Sequence, residues 1–569
     1  MIELVNLNEL KNYQPVGGFY NGLTVFVKGH TNLGDGGGGI FMWRTDDIFK
    51  TTNPPPSVSP GIYSVDNNGT IIQSQNNLIL NDSGRWVRQY DGYINVLYFG
   101  AFGTEIVDYS PQIQAAIDFA SLNATNYSPI KGSTVFIPNG DYLVSNLTLK
   151  TGVSILGESI SKTYFNTTND DNTYLFEIEK GQVYINISNF NINLVGTITE
   201  KQIPKGCFHF KSEIGPYGDG GLWYSTFKNI RINNFYGNGI YLETGTSGFI
   251  TPNQFNIFEN VRVFKNNDEN FSFFYNALKM TGENGQYSFI NCEFNGVKRH
   301  NSVKNEYYFD KWHVISIENN SPDIDSYSTS NVITFLNCTI QNSDYGVYIN
   351  YGENITFDNC WFEDLGVAIT INGETVISKS INIINNRFAN AAGFGSTVAP
   401  NNIKDGQCVS VNKSVANIYN NYVTASYPDL VDAGSSFVLG FPGNSGINLY
   451  ANTFRDDNKK LSKTYGVMQY IEIESNNSIN CKSNKLVFVN KSPNNYIIKN
   501  ITSSINAGEL LTVRANGGQI NFISTGGNVF LTNRANFSLQ NGEIATFIKI
   551  DIGASFETYQ LVSFTKSTP

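Results

Sequence analysis

A six-residue pattern of the form apolar–x–Asn–x–x–apolar recurs through the middle of the chain, as in residues 227–232 (FKNIRI) and 357–362 (FDNCWF). Its anchor positions are Asn189, Asn229, Asn260, Asn291, Asn337, Asn359, Asn385 and Asn420. Successive anchors are 22 to 46 residues apart. Short apolar strands that return to an Asn bend at such intervals are typical of the coils of a parallel β-helix. The pattern therefore predicts a β-helix from about residue 175 to 490.

The physical properties of Asn suit a sharp corner between two strands of a coil. Asn tolerates left-handed backbone, and its amide can hydrogen-bond to the Asn of the next coil in a ladder. We expect Asn337 and Asn359 to stack in this way inside the same bend, while the apolar side chains point inward. Anchor spacings above about 22 residues indicate loops inserted between strands. The large predicted insertions are 193–226, 296–331 and 390–407.

The segments that flank the repeats predict different structures. Residues 110–122 predict a helix, with Ser110 as N-cap, Pro111 at the first helical position, and apolar residues at helical spacing. The Gly run 34–39 lacks the remainder of a phosphate-binding loop and predicts a turn into a strand. The last ~70 residues predict a small antiparallel β-sandwich that covers the end of the β-helix.

Composition and charge exclude several classes of protein. A length of 569 residues favours more than one domain. A net charge of −10 argues against nucleic acid as a partner, and the absence of a long apolar run argues against a membrane span. The N-terminus lacks the pattern of a secretory signal, so we expect the six Cys to be thiols.

Cys and His residues predict neither a metal site nor a cofactor. The six Cys form no CxxC pair, and the four His are scattered along the chain. Cys292, Cys338 and Cys360 each follow an anchor Asn, which predicts a buried row of thiols. The sequence Asp323-Ile324-Asp325 is better explained as an exposed turn than as a calcium site.

Three segments resemble the start of pectate-lyase-like β-helices, which are common in bacteriophage tailspikes that degrade capsular polysaccharide or exopolysaccharide. These segments are 95–103 (NVLYFGAFG), 110–120 (SPQIQAAIDFA) and 135–142 (VFIPNGDY). The Gly-rich strand and Gly84-Arg85-Trp86 upstream are similar to a tailspike neck. In this sequence Thr104-Glu105 follows Gly103, where the family usually has an acidic Gly-Asp-Gly.

The resemblance implies an all-β protein with a right-handed parallel β-helix. Its expected domains are a neck or attachment region (1–92), the β-helix (93–495) and a C-terminal β-sandwich (496–569). It also implies a homotrimer in the phage tail that contacts other tail proteins and acts outside the cell on a bacterial surface polysaccharide. The long head-binding domain of many tailspikes has no counterpart in this sequence.

Outward rows of side chains along the coils supply the candidate catalytic residues. Glycoside hydrolysis uses two carboxyl groups about 5–5.5 Å apart in retaining enzymes, or about 6.5–9.5 Å apart in inverting ones. Adjacent and alternate coils, spaced by about 4.8 Å, offer both distances. The predicted catalytic residues are Glu293, Asp358, Glu363 and Asp364. The predicted sugar-binding residues are Trp361, Tyr348, Arg231, Arg262, Glu243, His313 and Trp312.

Hydrolysis is preferred only slightly over other functions. A polysaccharide lyase would need a base such as His313, Tyr307 or Tyr308, together with a cation such as Lys279 or Arg299 to neutralise a uronate. A receptor-binding spike would bind the sugar without shortening it. A cellular pectin-type enzyme is disfavoured by the absent secretory signal and by the predicted C-terminal sandwich.

The implied trimer can be tested directly. Light scattering on the purified protein should give three times the chain mass of 63.2 kDa, because an open β-helix end gains stability when it is covered. A monomer at micromolar concentration would contradict this expectation.

Overall fold

The computed structural model describes most of the N-terminal half and separate strands of the C-terminal part. The described residues are 1–46, 65–76, 84–122, 132–167, 174–178, 181–194, 206–212, 220–235, 237–244, 252–265, 276–296, 298–301, 306–309, 313–319, 330–373, 377–389, 407–412, 414–425, 436–440, 446–450, 452–456, 478–480, 486–490, 496–498, 500–502, 510–516, 520–523, 529–530, 536–539, 543–551 and 557–565. They form two compact units. The first contains Met1–Asp268 and Asn284–Glu293, and the second contains Glu269–Glu283 and Phe294–Pro569.

The first unit begins with a small five-stranded sheet beside a short helix, Leu7–Asn12. In sheet order the strands are Ile2–Leu4, Thr24–Val27, Gly39–Arg44, Arg85–Gln89 and Ile71–Ile72. Trp43 and Trp86 are fully buried between helix and sheet, with ring centroids 5.3 Å apart. The predicted turn before Gly39 is present, and the Asp35 carboxylate closes it by accepting N–H bonds from His30, Thr31, Asn32 and Gly37.

The remainder of the first unit consists of β-helix coils and one helix. Its strands are Ile94–Asn95, Thr104–Asp108, Thr134–Ile137, Gly140–Val144, Leu147–Leu149, Ser154–Gly157, Thr163–Thr167, Phe176–Ile178, Asn186–Asn193, Phe208–Ser212, Thr226–Phe235, Ile240–Thr244, Asn253–Lys265 and Asn284–Ile290. Pairing between coils is parallel throughout these strands, as in Asn186–Asn193 with Thr226–Phe235. The strand Glu293–Asn295 is divided between the two units.

The predicted helix is present as Ser110–Ser121, and a 3₁₀ turn precedes it at Val96–Phe99. Its predicted apolar face is buried. Ser110 is not the N-cap, which is a correction: Tyr109 is at that position, and Ser110 donates its N–H and Oγ–H to Asp108 at 2.9 and 2.6 Å. The Asp108 carboxylate thus replaces the expected Ser cap.

The second unit continues the same kind of coil. Its strands up to residue 456 are Leu278–Thr281, Lys298–Asn301, Glu306–Phe309, His313–Glu318, Ser330–Leu336, Thr339–Asn350, Gly352–Asp358, Trp361–Asn372, Ile381–Ile384, Arg387–Ala389, Gln407–Asn412, Val415–Tyr419, Tyr422–Ala425, Ser436–Gly440, Gly446–Tyr450 and Thr453–Asp456. All pair in parallel except the hairpin of Lys298–Asn301 and Glu306–Phe309. The predicted right-handed parallel β-helix is confirmed. The described residues omit much of the three predicted insertions, at 193–226, 296–331 and 390–407.

Left-handed backbone marks the corners of the coils. All eight anchor Asn residues have φ between 52 and 66°, as the pattern predicted. A second column of positive φ occurs five residues before each of the first seven anchors: Tyr184, Tyr224, Phe255, Gln286, Val332, Asn354 and Ser380. A third occurs five residues after three anchors: Asn234, Asn342 and Asp364. A positive φ is uncommon for aromatic side chains and an outlier for a β-branched residue such as Val332, so the residue types do not predict the second column.

The anchor amides form the predicted ladder, but on the outside of the bend. Asn359 Nδ2 donates to Asn337 Oδ1 at 2.7 Å, and Asn260 Nδ2 donates to Asn229 Oδ1 at 2.9 Å. Asn337 and Asn359 are exposed, which corrects the expectation that they stack inside the bend. The side chain points outward because the next residue, Cys338 or Cys360, occupies the interior.

The interior position after each of the last five anchors carries either a thiol or an amide. Cys292, Cys338 and Cys360 are buried thiols outside any disulfide, as predicted. The corresponding positions in later coils hold Asn386 and Asn421, each 1% exposed. The side-chain oxygen of Asn386 accepts the N–H of Cys360, and that of Asn421 accepts the N–H of Asn386, both at 2.8 Å.

Stacked phenylalanines fill the interior of both units. In the first unit Phe227 lies on Phe258 with ring centroids 4.6 Å apart, and Phe258 lies on Phe289 at 5.1 Å. In the second, Phe335 and Phe357 stack at 4.7 Å. Burial of each such side chain contributes about 1.5–3 kcal/mol, so the repeating core is a main source of stability.

The described tail contains two sheets with mixed pairing, whereas the prediction was antiparallel. The five-stranded sheet has Leu486–Asn490, Leu510–Asn516, Ile544–Asp551, Glu557–Thr565 and Val529–Phe530. The three-stranded sheet has Tyr496–Ile498, Ile520–Ile523 and Asn536–Leu539, and a further parallel pair is Ser478–Asn480 with Asn500–Thr502. Leu486–Asn490 still pairs in parallel with Leu510–Asn516, as the coils do. Phe522 contacts Phe547 at 5.1 Å between the two sheets. The predicted domain boundaries after residues 92 and 495 stay predictions.

We predict that the buried amide column matters more for stability than the exposed one. Asn421→Ala removes the acceptor of the Asn386 N–H and leaves that buried group unpaired, which should cost about 1–3 kcal/mol. Asn359→Gly keeps the left-handed corner and should change the free energy of unfolding by less than about 1 kcal/mol. Thermal or urea unfolding of both variants checks this. A larger loss in Asn359→Gly would contradict the assignment.

Candidate active site

Three outward-facing side chains line up on successive coils of the first unit. Phe176–Ile178, Phe208–Ser212 and Ile240–Thr244 pair in parallel, with Glu177 opposite His209 and His209 opposite Tyr241. Alternate residues on these strands, such as Phe208 and Phe210, are fully buried. Because strand residues alternate between faces, Glu177, His209 and Tyr241 must point away from the core.

His209 is held between two carboxylates. Its Nε2 is 2.8 Å from Glu243 Oε2, and its Nδ1 is 3.9 Å from Glu177 Oε1. Its ring stacks on Tyr241 with centroids 4.9 Å apart and planes within 6°. Tyr174 contacts the same ring at 4.7 Å. A single imidazole thus has a carboxylate near each nitrogen and a tyrosine near each face or edge.

Amide side chains hold the periphery of this cluster. Asn146 Nδ2 donates to Glu177 Oε2 at 3.2 Å and to the Tyr174 carbonyl at 2.6 Å. Asn238 Nδ2 donates to Tyr174 Oη at 3.2 Å. Glu177 and Tyr174 are therefore fixed by groups from other strands and turns, which is the support that a catalytic arrangement needs.

Burial and the neighbouring carboxylates have opposite effects on the pKa of His209. Burial lowers the pKa of His209, but the interactions with Glu177 and Glu243 outweigh this effect, and the pKa is raised above its ordinary value. The interaction with His209, aided by Asn146, lowers the pKa of Glu177. At neutral pH Glu177 is a carboxylate, and His209 holds its proton more strongly than a free imidazole does. The cluster can therefore both accept and donate a proton.

The three predicted residues Arg231, Arg262 and Glu293 lie on another face of the first unit. Arg231 is opposite Arg262 in the register of Thr226–Phe235 with Asn253–Lys265. Glu293 Oε2 is 4.0 Å from Arg262 Nε. The outward row beside the corner was thus read correctly, but these residues do not belong to the His209 cluster. Among the predicted site residues that the structure describes, only Glu243 does.

Asp358, Glu363, Asp364 and Trp361 lie in the second unit, apart from the unit that contains Glu293. Trp361 and Glu363 share the outward face of one strand, while Asp358 precedes the Asn359 corner. Asp358 accepts a 2.7 Å hydrogen bond from Asn385. Asp364 is itself a corner residue with φ 52°, a conformation in which Asp is enriched. Their predicted catalytic role stays a prediction.

The predicted sugar platform Trp361 is covered on one face by a cation. The Arg387 guanidinium lies 4.3 Å from the Trp361 ring centroid and 5.8 Å from that of Tyr422. Trp361, Arg387 and Tyr422 are register partners on successive coils. The ring can stack on a sugar only with its other face or after Arg387 moves.

His313 and Tyr348 come together elsewhere in the second unit. The His313 ring is 4.7 Å from Tyr348 and 5.0 Å from Tyr345. Burial lowers the pKa of His313 to about 4, so this imidazole is neutral at pH 7. Trp312 is outside the described residues. His313 and Tyr348 are thus neighbours, and their role in sugar binding stays a prediction.

Sequence reasoning missed His209, Glu177, Tyr174 and Tyr241. A usable signal was present: the segments 208–212 (FHFKS) and 240–244 (IYLET) alternate in the same phase and lie on successive coils. Aligning them places His209 beside Tyr241 and Lys211 beside Glu243. Glu177 belongs to the coil before them, but its strand is only three residues long and has no anchor Asn of its own.

The described ranges contain neither a cluster of metal-binding side chains nor a helix that could cross a membrane. No group of three or more His, Cys, Asp or Glu side chains there could hold a metal ion. None of the described helices has the length and apolar character needed to span a bilayer.

Two protein families match successive parts of the first unit and its continuation. Residues 3–91 match the phage tail protein small four-stranded beta-sheet domain. Residues 93–299 match the rhamnogalacturonase A/epimerase, pectate lyase-like family. The chain thus joins a segment similar to a phage tail domain to a segment similar to pectate-lyase-like proteins. The resemblance to phage tailspikes and the predicted location in the virion tail are confirmed by these matches.

Solved structures with a similar backbone fold include two phage proteins and one bacterial enzyme. Tailspike protein 2 of Escherichia coli O157:H7 bacteriophage CAB120 is 14% identical, with a TM-score of 0.47 over 79% of this chain and 51% of that one. The tailspike gp49 of Acinetobacter baumannii bacteriophage Fri1, a capsular polysaccharide depolymerase, is 14% identical, with a TM-score of 0.45 over 80% of this chain and 75% of that one. The A-module of an Azotobacter vinelandii mannuronan C-5 epimerase is 14% identical, with a TM-score of 0.42 over 66% of this chain and all of the module.

The chain spans about half of the length of tailspike protein 2. No curated protein sequence matches it.

The raised pKa of His209 should depend on the charge of Glu243. Glu243→Gln removes a charge and a hydrogen-bond partner while the burial of the ring stays, so the pKa of His209 should fall. Because the folded pKa lies above the unfolded value of about 6.5, this interaction stabilises the fold below that pH and is lost as the pH rises through the folded pKa.

NMR titration of histidine-labelled protein measures the shift, and a His209→Gln variant assigns the resonance. Glu259→Gln is the matched control, because Glu259 pairs with Lys228 on another face of the unit. An unchanged or higher pKa of His209 in Glu243→Gln would show that the two carboxylates do not control it.

Proposed function

We propose that this phage tail protein depolymerises a bacterial surface polysaccharide by glycoside hydrolysis, with Glu177, His209 and Glu243 at the catalytic centre. The observation that carries the proposal is the pair of carboxylates on either side of one outward-facing imidazole. Hydrolysis of a glycosidic bond uses two such carboxyl groups, one as acid and one as base or nucleophile. The match of residues 93–299 to the rhamnogalacturonase A/epimerase family supports a carbohydrate substrate.

The electrostatics of the cluster assign roles. Glu177 has a lowered pKa and is ionised, which suits the base or nucleophile. Glu243 and His209 share a hydrogen bond, and one of them, in its protonated form, supplies the proton to the leaving oxygen. Tyr174 and Tyr241 flank the imidazole and provide aromatic surface for a sugar ring. The Asn146 amide keeps Glu177 in place during this exchange.

The alternative chemistry, β-elimination from a uronate, is favoured by one observation in the second unit. His313 is neutral at pH 7 and lies against Tyr345 and Tyr348, so it could accept a proton from a sugar carbon. The His209 cluster suits elimination less well, because the raised pKa of His209 disfavours the neutral imidazole that a base requires. We therefore place hydrolysis first.

The proposal predicts that Glu177→Gln and Glu243→Gln lose activity while they keep the fold. General acid–base groups contribute about 10²–10⁴-fold, so each variant should cleave at least about 100-fold more slowly. The parent is first tested on purified capsules and exopolysaccharides from a panel of bacterial strains to find a substrate. Release of reducing ends then measures cleavage, and circular dichroism checks the fold.

Three controls separate the alternatives. Glu259→Gln should cleave as fast as the parent. Ultraviolet absorbance of unsaturated uronate ends, with loss of cleavage in His313→Gln, would instead support elimination. Polysaccharide binding by the parent without cleavage would indicate a receptor-binding spike. If both Gln variants cleave at the parent rate, the proposed centre is wrong, and Asp358, Glu363 and Asp364 are the next carboxylates to change.

A further inference from the structure

Two arginines of like charge lie directly opposite each other on the first unit. Arg231 and Arg262 are register partners on Thr226–Phe235 and Asn253–Lys265. Parallel neighbours in a sheet are about 4.8 Å apart at the backbone. Like charges in directly opposite positions destabilise a sheet, so the pair needs a compensating anion or another advantage.

The charge of this pair is poorly compensated by the protein. Arg262 has one carboxylate nearby, Glu293, at 4.0 Å, which is beyond hydrogen-bond length. No ion pair joins Arg231 to an acidic side chain in the part of the chain that the structure describes. The adjacent row differs, since Lys228 and Glu259 form an ion pair at 2.9 Å. An excess of positive charge at one spot is notable in a chain of net charge −10.

The guanidinium of Arg231 is held in one orientation that suits ligand binding. Its Nε donates to Asn233 Oδ1 at 2.8 Å, and its guanidinium lies over the Phe264 ring at 5.0 Å. These two contacts fix the plane of the guanidinium and engage only Nε, so its terminal nitrogens project from an exposed side chain. A fixed guanidinium fork is suited to carboxylate and phosphate oxygens.

We propose that Arg231 and Arg262 form a binding site for an anionic group of the polysaccharide, either a uronate carboxylate or a phosphate. The inference rests on the proposed function for its substrate class and adds that the polymer is acidic. The site is on the face formed by strands 186–193, 226–235 and 253–265, whereas the His209 cluster is on strands 176–178, 208–212 and 240–244. It therefore retains the polymer and takes no part in bond cleavage.

Binding of two defined acidic polymers to the full-length protein tests the proposal. The probes are polygalacturonate and a glycerol-phosphate polymer, with carboxyl-reduced polygalacturonate as the neutral comparison, at low ionic strength. Calorimetry or affinity electrophoresis should show that the parent binds at least one acidic polymer and not the neutral one. The preferred acidic polymer identifies the anionic group.

The double variant Arg231→Gln/Arg262→Gln should bind that polymer at least about tenfold more weakly, because two charge-assisted contacts are lost. Lys228→Gln, which removes one positive charge from the neighbouring row, is the matched control and should bind within about twofold of the parent. Circular dichroism checks that both variants fold.

Three results would overturn the proposal: no binding of either acidic polymer by the parent, equal binding by the double variant, or an equal loss in Lys228→Gln. The last result would mean a diffuse charge effect. These measurements do not involve cleavage, so they remain decisive if Glu177 and Glu243 prove not to be catalytic. Conversely, failure of the arginine site would leave the cleavage test unaffected.

Discussion

The left-handed backbone at the coil corners is the constraint on which the remaining structure depends. Each corner turns the chain within one residue, and four residues separate each of the first seven anchors from the positive-φ corner before it. Fixed lengths keep the inward and outward phases of every coil aligned, which is why phenylalanine stacks on phenylalanine in the interior. Asn and Asp accept this backbone at low cost, whereas Tyr184, Tyr224, Phe255 and Val332 adopt it under strain.

The alignment of phases also creates the outward rows in which chemistry can be arranged. A histidine on one coil meets a tyrosine and a glutamate on the next because all three are at matched positions. Charged side chains that are far apart in the sequence lie side by side on adjacent coils. The fold therefore supplies a regular grid, and the function depends on which side chains occupy a few adjacent points of that grid.

The sequence predicted the grid better than the site. The anchor Asn residues determined the register correctly, so the rows that contain Arg231 with Arg262, and Trp361 with Arg387, could be read from spacing alone. The Tyr174–Glu177–His209 part of the candidate site was missed because its coils have long insertions and Glu177 precedes the first anchor. The tail was only partly predicted, since turn residues indicate where strands end but not whether neighbours run parallel.

The buried thiols of the coils have a consequence for durability. A thiol reacts as thiolate, and complete burial raises the pKa of Cys207 and Cys408 far above the ordinary value. Cys360 points its sulfur at a backbone carbonyl of the preceding coil, at 3.3 Å from Phe335 O. A phage particle outside its host is exposed to oxygen without any cellular reductant. Cysteines enclosed in this way add to the core and yet withstand prolonged exposure to air.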